Sequence, residues 1–479
     1  MPFARSSPRV VLAVLAAAVA SFSLLQSLVA PVLPNIQREL HTSASSVTWV
    51  LTAWLLSAAV ATPVLGRVGD LAGKERTLVA ALAAVAVGLL LAAVAPNLPV
   101  LLAGRVVQGL GGAVFAVSFG ILRDAFPAAR VSSAVGILSA VIAAGGGLGM
   151  VLAGPIVTLL GWRWLFWIPL GVVAAVAILA RRVLPSSASR TAVRVNWTAA
   201  LLLSGWLVAL LVPLTEATSW GWGSPRTLGL LAVAVVLLAT WVRVELRSVT
   251  PLIDMRMMRI PAVWTTNLAA LLFGGAMFGV YAFLPQLVQL PRATGFGLGE
   301  SLSAAGLIML PLLVTMSVAG VLSGRVAQAI GLKAQLVGAS LVGVVGCALL
   351  ALFHGGAVPI AAAGAVLGVA FGLAYAALAS LVVQAVPASQ TGAASGMSTN
   401  IRTIGGALGT AVVSSVVTAS AGPTGLPAES GFTDAFWVLA GASLVAALLA
   451  LLVPSTRRRP LVVAEPEVAA DALLPAGSH

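Results

Sequence analysis

Charge is scarce in this chain: only 8% of its 479 residues are Asp, Glu, Lys or Arg, against 60% hydrophobic, and the mean hydropathy is +1.09. A water-soluble protein of this length needs a far more polar surface, so the solvent for most of it must be lipid. There is one cysteine, Cys347, set in an apolar run, which excludes any disulfide within the chain. The three histidines, His41, His354 and His479, are scattered and form no metal-ligand spacing with that thiol. No phosphate-cradling Gly-rich loop ending in Lys-Ser or Lys-Thr occurs, and the lone serines have no base nearby. ATP-driven pumping and membrane-embedded enzymology are therefore not expected, and neither is a metal or cofactor.

The balance of the few charges is basic, with a net +13. Nucleic acid is excluded as a partner because the basic residues stand singly or in pairs between apolar runs and do not gather on one face. Of 26 basic residues only Lys74 and Lys333 are lysine, a usage that fits a GC-rich bacterial source.

What fills the chain is apolar runs of about 20 residues or more, each able to cross roughly 30 Å of hydrocarbon at 1.5 Å per residue. Fourteen spans are expected, at about 9–32, 48–66, 77–95, 99–122, 132–158, 162–182, 197–215, 227–245, 262–290, 302–323, 334–353, 357–384, 392–419 and 432–453. The first follows Arg5 and Arg9 but runs on to about Pro31, too long for a secretory signal, and reads as a retained span. With both termini inside, twenty basic loop residues fall in the cytoplasm and four outside, namely Arg38, Arg163, Arg226 and Arg292. That asymmetry sets the orientation under the positive-inside rule. Connecting loops, the longest at about 183–196 and 246–261, hold no soluble domain, and the Ala- and Pro-rich tail after Pro454 reads as disordered.

Gly66-Arg-Val-Gly-Asp70-Leu-Ala-Gly73-Lys74-Glu-Arg76 is a short charged hairpin between spans 2 and 3. It returns between spans 10 and 11 as Gly324-Arg325-Val-Ala-Gln-Ala-Ile-Gly331-Leu-Lys333, with Gly66, Arg67, Val68 and Gly73 each matched 258 positions later. A tight basic turn repeated between membrane helices marks a secondary transporter built from two copies of one unit. The organisation expected is 6+2+6: a six-helix bundle over 9–182, a linker with two extra spans over 183–261, a second bundle over 262–453, and the tail 454–479 in the cytoplasm.

On these residues the chain resembles the major facilitator superfamily, and within it the fourteen-helix drug:proton antiporters. Gly66, Asp70, Gly73 and Lys74 fill the places of that superfamily's signature loop, with Asp124 and Arg325 as further members of the hairpin network. Glycines there permit a tight turn, and Asp70 can pair across to a neighbouring helix end. The second copy has Gln328 where the first has Asp70, so a charge latch would be one-sided. Arg105-Val-Val-Gln108 in span 4 resembles the family motif whose buried Arg is tied to proton transfer. Such an Arg would act by depressing a carboxylate pKa or by holding an anion. Gly145, Gly149 and Gly154 in span 5 resemble the antiporter motif, with Met150 in place of its proline. Asn400-Ile-Arg402 in span 13 resembles a recurrent polar patch of the family.

Span 1 departs from the pattern. The fourteen-helix antiporters carry an Asp there, where this chain has Leu25 or Gln26; no carboxylate stands mid-span anywhere. Gln26 is equally a substrate contact or a tie between helices. The resemblance implies a bacterial plasma-membrane exporter of small apolar or amphipathic compounds, working as a monomer by alternating access in exchange for protons. An uncoupled facilitator or importer, and a lipid flippase, remain alternatives on the same fold. A cavity holding Arg105 and Arg402 but no acid should disfavour lipophilic cations and tolerate neutral or anionic amphiphiles.

Overall fold

The computed structural model describes residues 7–29, 32–184, 196–248, 251–420 and 427–454. The expected disordered tail, most of the 183–196 loop, Arg5, Pro31 and the side chain of Met150 lie outside the described residues. Every regular element among those described is helical: α1 Pro8–Leu28, α2 Leu33–Glu39, α3 Ala44–Ala72, α4 Lys74–Ala93, α5 Leu98–Gly109, α6 Ala113–Ala125, α7 Ala128–Leu160 and α8 Trp164–Val183 come first. Then follow α9 Trp197–Trp220, α10 Pro225–Arg247, α11 Met255–Met258, α12 Pro261–Gln289, α13 Leu302–Ile330, α14 Leu332–Leu352, α15 Ala357–Ala385, α16 Thr391–Ala419 and α17 Glu429–Leu451. One 3₁₀ turn, Leu110–Gly112, joins α5 to α6, so the two make a single span. Fourteen helices are long and apolar enough to cross a membrane, the number expected from hydropathy. Within hydrocarbon every backbone N–H and C=O must be satisfied internally, and a helix does this within one segment.

The boundaries differ from expectation at the two hairpins. α3 continues six residues past Gly66, and α13 runs on to Ile330, so the presumed loops are helix almost to their ends. Each hairpin is reduced to one glycine, Gly73 (φ 114°) and Gly331 (φ 85°), whose left-handed backbone reverses the chain without a Cβ clash. Asp70 therefore stands on the last turn of a helix and not in a solvated loop. At the other end, α1 stops at Leu28, short of position 32, and the short helix α2 takes up the chain beyond Pro31.

α1 and α3–α8 pack largely among themselves, as do α12–α17, and the two groups meet along two seams: α3 and α6 against α16, and α7 against α13 and α15. The extra pair α9–α10 lies across the first seam, with α9 against both α3 and α16. The main apolar core runs through both groups, with large side chains such as Phe22, Trp162, Phe166, Phe371 and Phe436 fully buried. Large exposed apolar residues, among them Leu159, Leu201, Val235 and Val358, cover outward faces suited to lipid.

Candidate functional site

The first hairpin builds a charged cluster at the end of the α3–α16 seam where α16 begins. Because α3 stays helical to Ala72, Asp70 points at the start of α16, and its carboxylate accepts hydrogen bonds from the Gly392 N–H (3.2 Å) and the Ala393 N–H (3.0 Å). The first amides of a helix have no partner within it and carry its positive partial charge, so a buried carboxylate is well held there. Lys74, at the opposite end of the glycine turn, donates to Asp124 at 2.7 Å and stands 4.0 Å from Asp70. Its Nζ also lies 3.5 Å from the Gly120 carbonyl. Arg123, beside Asp124, donates to the Thr391 hydroxyl at 2.9 Å. Gly66, Asp70, Gly73, Lys74 and Asp124 are thus brought together, and their partner is the first turn of a helix in the other group. Backbone meets backbone where the helices cross: a Cβ on Gly392 would lie 2.6 Å from the Gly66 carbonyl oxygen.

The second hairpin forms nothing comparable. Arg325 and Gln328 are exposed, and Arg325 makes no ion pair among the described residues. The C-terminal end of α13 is tied instead by Gln335, which donates to the Ser323 hydroxyl (2.6 Å) and the Leu373 carbonyl (2.9 Å).

Deeper in the membrane, Arg105 is fully buried. Its Nε donates to the Val50 carbonyl at 2.9 Å, one terminal nitrogen donates to Gln108 Oε1 at 2.7 Å, and the guanidinium lies 5.3 Å from the Trp54 ring centroid. Gln108 in turn donates to the Gly88 carbonyl at 2.9 Å, so the pair ties α5 to α3 and α4. The second terminal nitrogen of Arg105 and the Trp54 indole N–H are buried without a hydrogen-bond partner. In the other group Arg402 donates to the Tyr375 hydroxyl at 2.8 Å and stacks 4.1 Å above that ring. Neither guanidinium forms an ion pair among the described residues. Asn400, two residues before Arg402 on α16, donates to the Ala59 carbonyl of α3 at 2.6 Å, a hydrogen bond between the two groups. Gln26 is half-buried near the outer end of α1 and makes no hydrogen bond among the described residues.

The glycine motif of span 5 packs α7 on α1, where Gly145 and Gly149 face Ser23 and Ser27 closely enough that a Cβ would collide. Gly154 faces the other way, toward Ser303 of α13. At the opposite end of the first group from the hairpin, Glu39 accepts from the Trp162 indole (2.7 Å) and from Arg163 (3.3 Å). Sequence reasoning missed Gly392 and Ala393, whose contribution is a backbone amide and leaves no mark on residue type. It also missed Trp54 and Tyr375, which look like ordinary apolar-run aromatics, and Glu245, which reads as a helix-end charge.

The family model for the Major Facilitator Superfamily matches residues 15–410. The chain belongs to this superfamily. It is 31% identical over 425 residues to the tetracenomycin C resistance and export protein of Streptomyces glaucescens, covering 85% of this chain and 76% of that one. It is 30% identical over 459 residues to the cephamycin export protein CmcT of Amycolatopsis lactamdurans, covering 90% of each. Among solved structures, the proton:xylose symporter XylE superposes with a TM-score of 0.66 over 94% of this chain and 96% of that chain, at 14% identity, a likeness of fold alone. The protein is accordingly a multi-pass membrane protein with the major facilitator fold.

Proposed function

We propose that this chain is a bacterial plasma-membrane exporter of small amphipathic or apolar molecules, with both termini in the cytoplasm. Its two halves, 9–182 and 262–453, rock about a site between them, and the 183–261 linker with its two spans is an added module. The observation that carries the reading is the Asp70 carboxylate seated on the first amides of α16, because such a contact exists only while the inner ends of the halves are together. The export names of the relatives supply the direction. Gln26, Gln108, Asn400, Arg105 and Arg402 serve the substrate and proton pathway in this reading, and the monomer in its bilayer is the working unit.

The substrate class follows from charge. Two unneutralised guanidinium groups, Arg105 and Arg402, stand within spans. At about 10 Å and an effective dielectric of about 20, each repels a cation by roughly 1.7 kcal/mol. Neutral and anionic amphiphiles are therefore favoured over lipophilic cations. Everted vesicles carrying the protein should accumulate an aromatic carboxylate such as 2-naphthoate at least about tenfold faster than 2-naphthylmethylammonium, and a protonophore should abolish the uptake. Faster uptake of the ammonium compound would overturn the charge argument, and gradient-independent equilibration of both would replace the exporter with a facilitator.

A further inference from the structure

Glu245 lies near the end of α10, in the extra pair of spans, and is 3% exposed although its side chain is a carboxylate. Its acceptors are used by the chain that follows. The Leu252 N–H donates to Oε2 at 2.9 Å and the Ile253 N–H to Oε1 at 3.3 Å. These bonds fold the segment between the extra spans and the second half back under α10. Leu252, Ile253 and Met257 are then buried at 1%, 0% and 3%. They join a second apolar core, distinct from the main one, which includes Ala59 and Val64 of α3, Ala394 and Met397 of α16, and Trp206 of α9. The same module is fastened near the other end of α16 by a 2.8 Å hydrogen bond from the Trp222 indole to Ser415. Nearby in the first hairpin, the buried Nε of Arg67 has no hydrogen-bond partner.

From this juxtaposition we infer that Glu245 is a gate-positioning residue: it docks residues 251–258 as a strap across the cytoplasmic end of the α3–α16 seam and favours the inward-closed state. The inference rests on the alternating-access reading above. A body seated on α3 and α16 together cannot follow both when their inner ends part, so opening inward must break its core on one side. The carboxylate sets how firmly the strap stays down. A buried carboxylate holding two amides is a strong acceptor, and an uncharged amide oxygen in its place is weaker.

The test uses the full chain in nanodiscs, in a Cys347→Ser background, with spin labels at Arg76→Cys and Ser389→Cys reporting the cytoplasmic ends by double electron–electron resonance. Glu245→Gln should raise the long-distance, inward-open population about tenfold, as expected for loss of a charge-assisted contact, and Glu245→Asp should restore part of it. Where Glu245→Gln fails to fold, Ile253→Ala, which empties the strap's buried anchor and leaves the carboxylate in place, is held to the same criterion. A merely structural role would lower the melting temperature with the distance distribution unchanged, and that result overturns the proposal. Should the distances shift while wild-type vesicles move none of the naphthalene probes, the strap stands and the export reading falls. If the probes are exported and the distances stay fixed, the export reading stands and the strap falls.

Discussion

The two seams between the halves are related by the repeat, yet they are closed by different chemistry. Both put glycine against glycine at the crossing: a Cβ on Gly392 would come within 2.6 Å of the Gly66 carbonyl oxygen, and one on Gly136 within 2.7 Å of that of Gly320. At the inner end of the α3–α16 seam, Asp70 adds a carboxylate on two helix-terminal amides, braced by Lys74, Asp124 and Arg123. Among the described residues the α7–α13 and α7–α15 contacts there are uncharged, with Ser133 beneath Gly324 and Gln384 donating to Ser132 at 2.7 Å. Steric fit is therefore common to both seams, while among the described residues a charged contact across the seam is found only at the first. In the alternating-access reading proposed above, the first seam would therefore be the latch and the second a hinge surface.

Substitutions can separate these two terms. Gly392→Val and Gly136→Val should be the most damaging and should damage alike, because each drives a side chain into a backbone oxygen with no flexible neighbour to yield. Overpacking at the upper end of about 1–3 kcal/mol corresponds to roughly a hundredfold loss of the closed state. Initial export rates in vesicles, together with cysteine labelling from the cytoplasmic side, report it. A mild phenotype at Gly136 beside a severe one at Gly392 would show that the seams are not sterically equivalent. Asp70→Asn comes next. The amide keeps the shape but loses the charge facing α16 and Lys74, for about 1.5–3 kcal/mol, or roughly tenfold or more in the closed population. Gln328→Asn, at the matching place in the second hairpin, should stay within about twofold of wild type, as is usual for an exposed position. Equal effects at the two positions would remove the asymmetry on which the latch depends.

Much of this arrangement was legible from residues alone. Hydropathy and length give the fourteen spans because lipid tolerates little else, and the 258-residue repeat exposes the two hairpins. The substitution of Gln328 for Asp70 is visible in the sequence, and the structure pairs Asp70 with α16 while Gln328 is exposed. What could not be read was the partner. Asp70 binds Gly392 and Ala393 through backbone N–H groups, which every non-proline residue possesses, so neither position stands out in the sequence. The hairpin length was misjudged for a related reason: charged residues at 67, 70, 74 and 76 look like a solvated loop, but helix ends reach the interface and accept them. Arg105 and Arg402 were rightly picked out as costly charges within spans. Their partners, Val50 O, Gln108, Trp54 and Tyr375, are uncharged, and only packing reveals them.

The Lys74–Asp124 pair is the finest discriminator of how the latch works. At 2.7 Å it is the shortest ion pair among the described residues, but the Asp124 side chain is 43% exposed, so water and salt screen it. Such pairs contribute about 1 kcal/mol or less. Asp124→Asn should therefore lower the closed population by only about two- to fivefold, and by less still in about 0.5 M salt, where charges are screened within a few ångströms. Asp70 is fully buried, so the effect of Asp70→Asn should survive the same salt almost intact. Measuring export by the two variants at low and high ionic strength thus assigns the latch to one of two sources. Loss at Asp124 alone with added salt means that the helix-terminal amides of α16 hold the gate and Lys74 merely braces Asp70. Equal sensitivity would mean that the gate is held by the ion-pair network, and the amide contact would then be a consequence of closure instead of its cause.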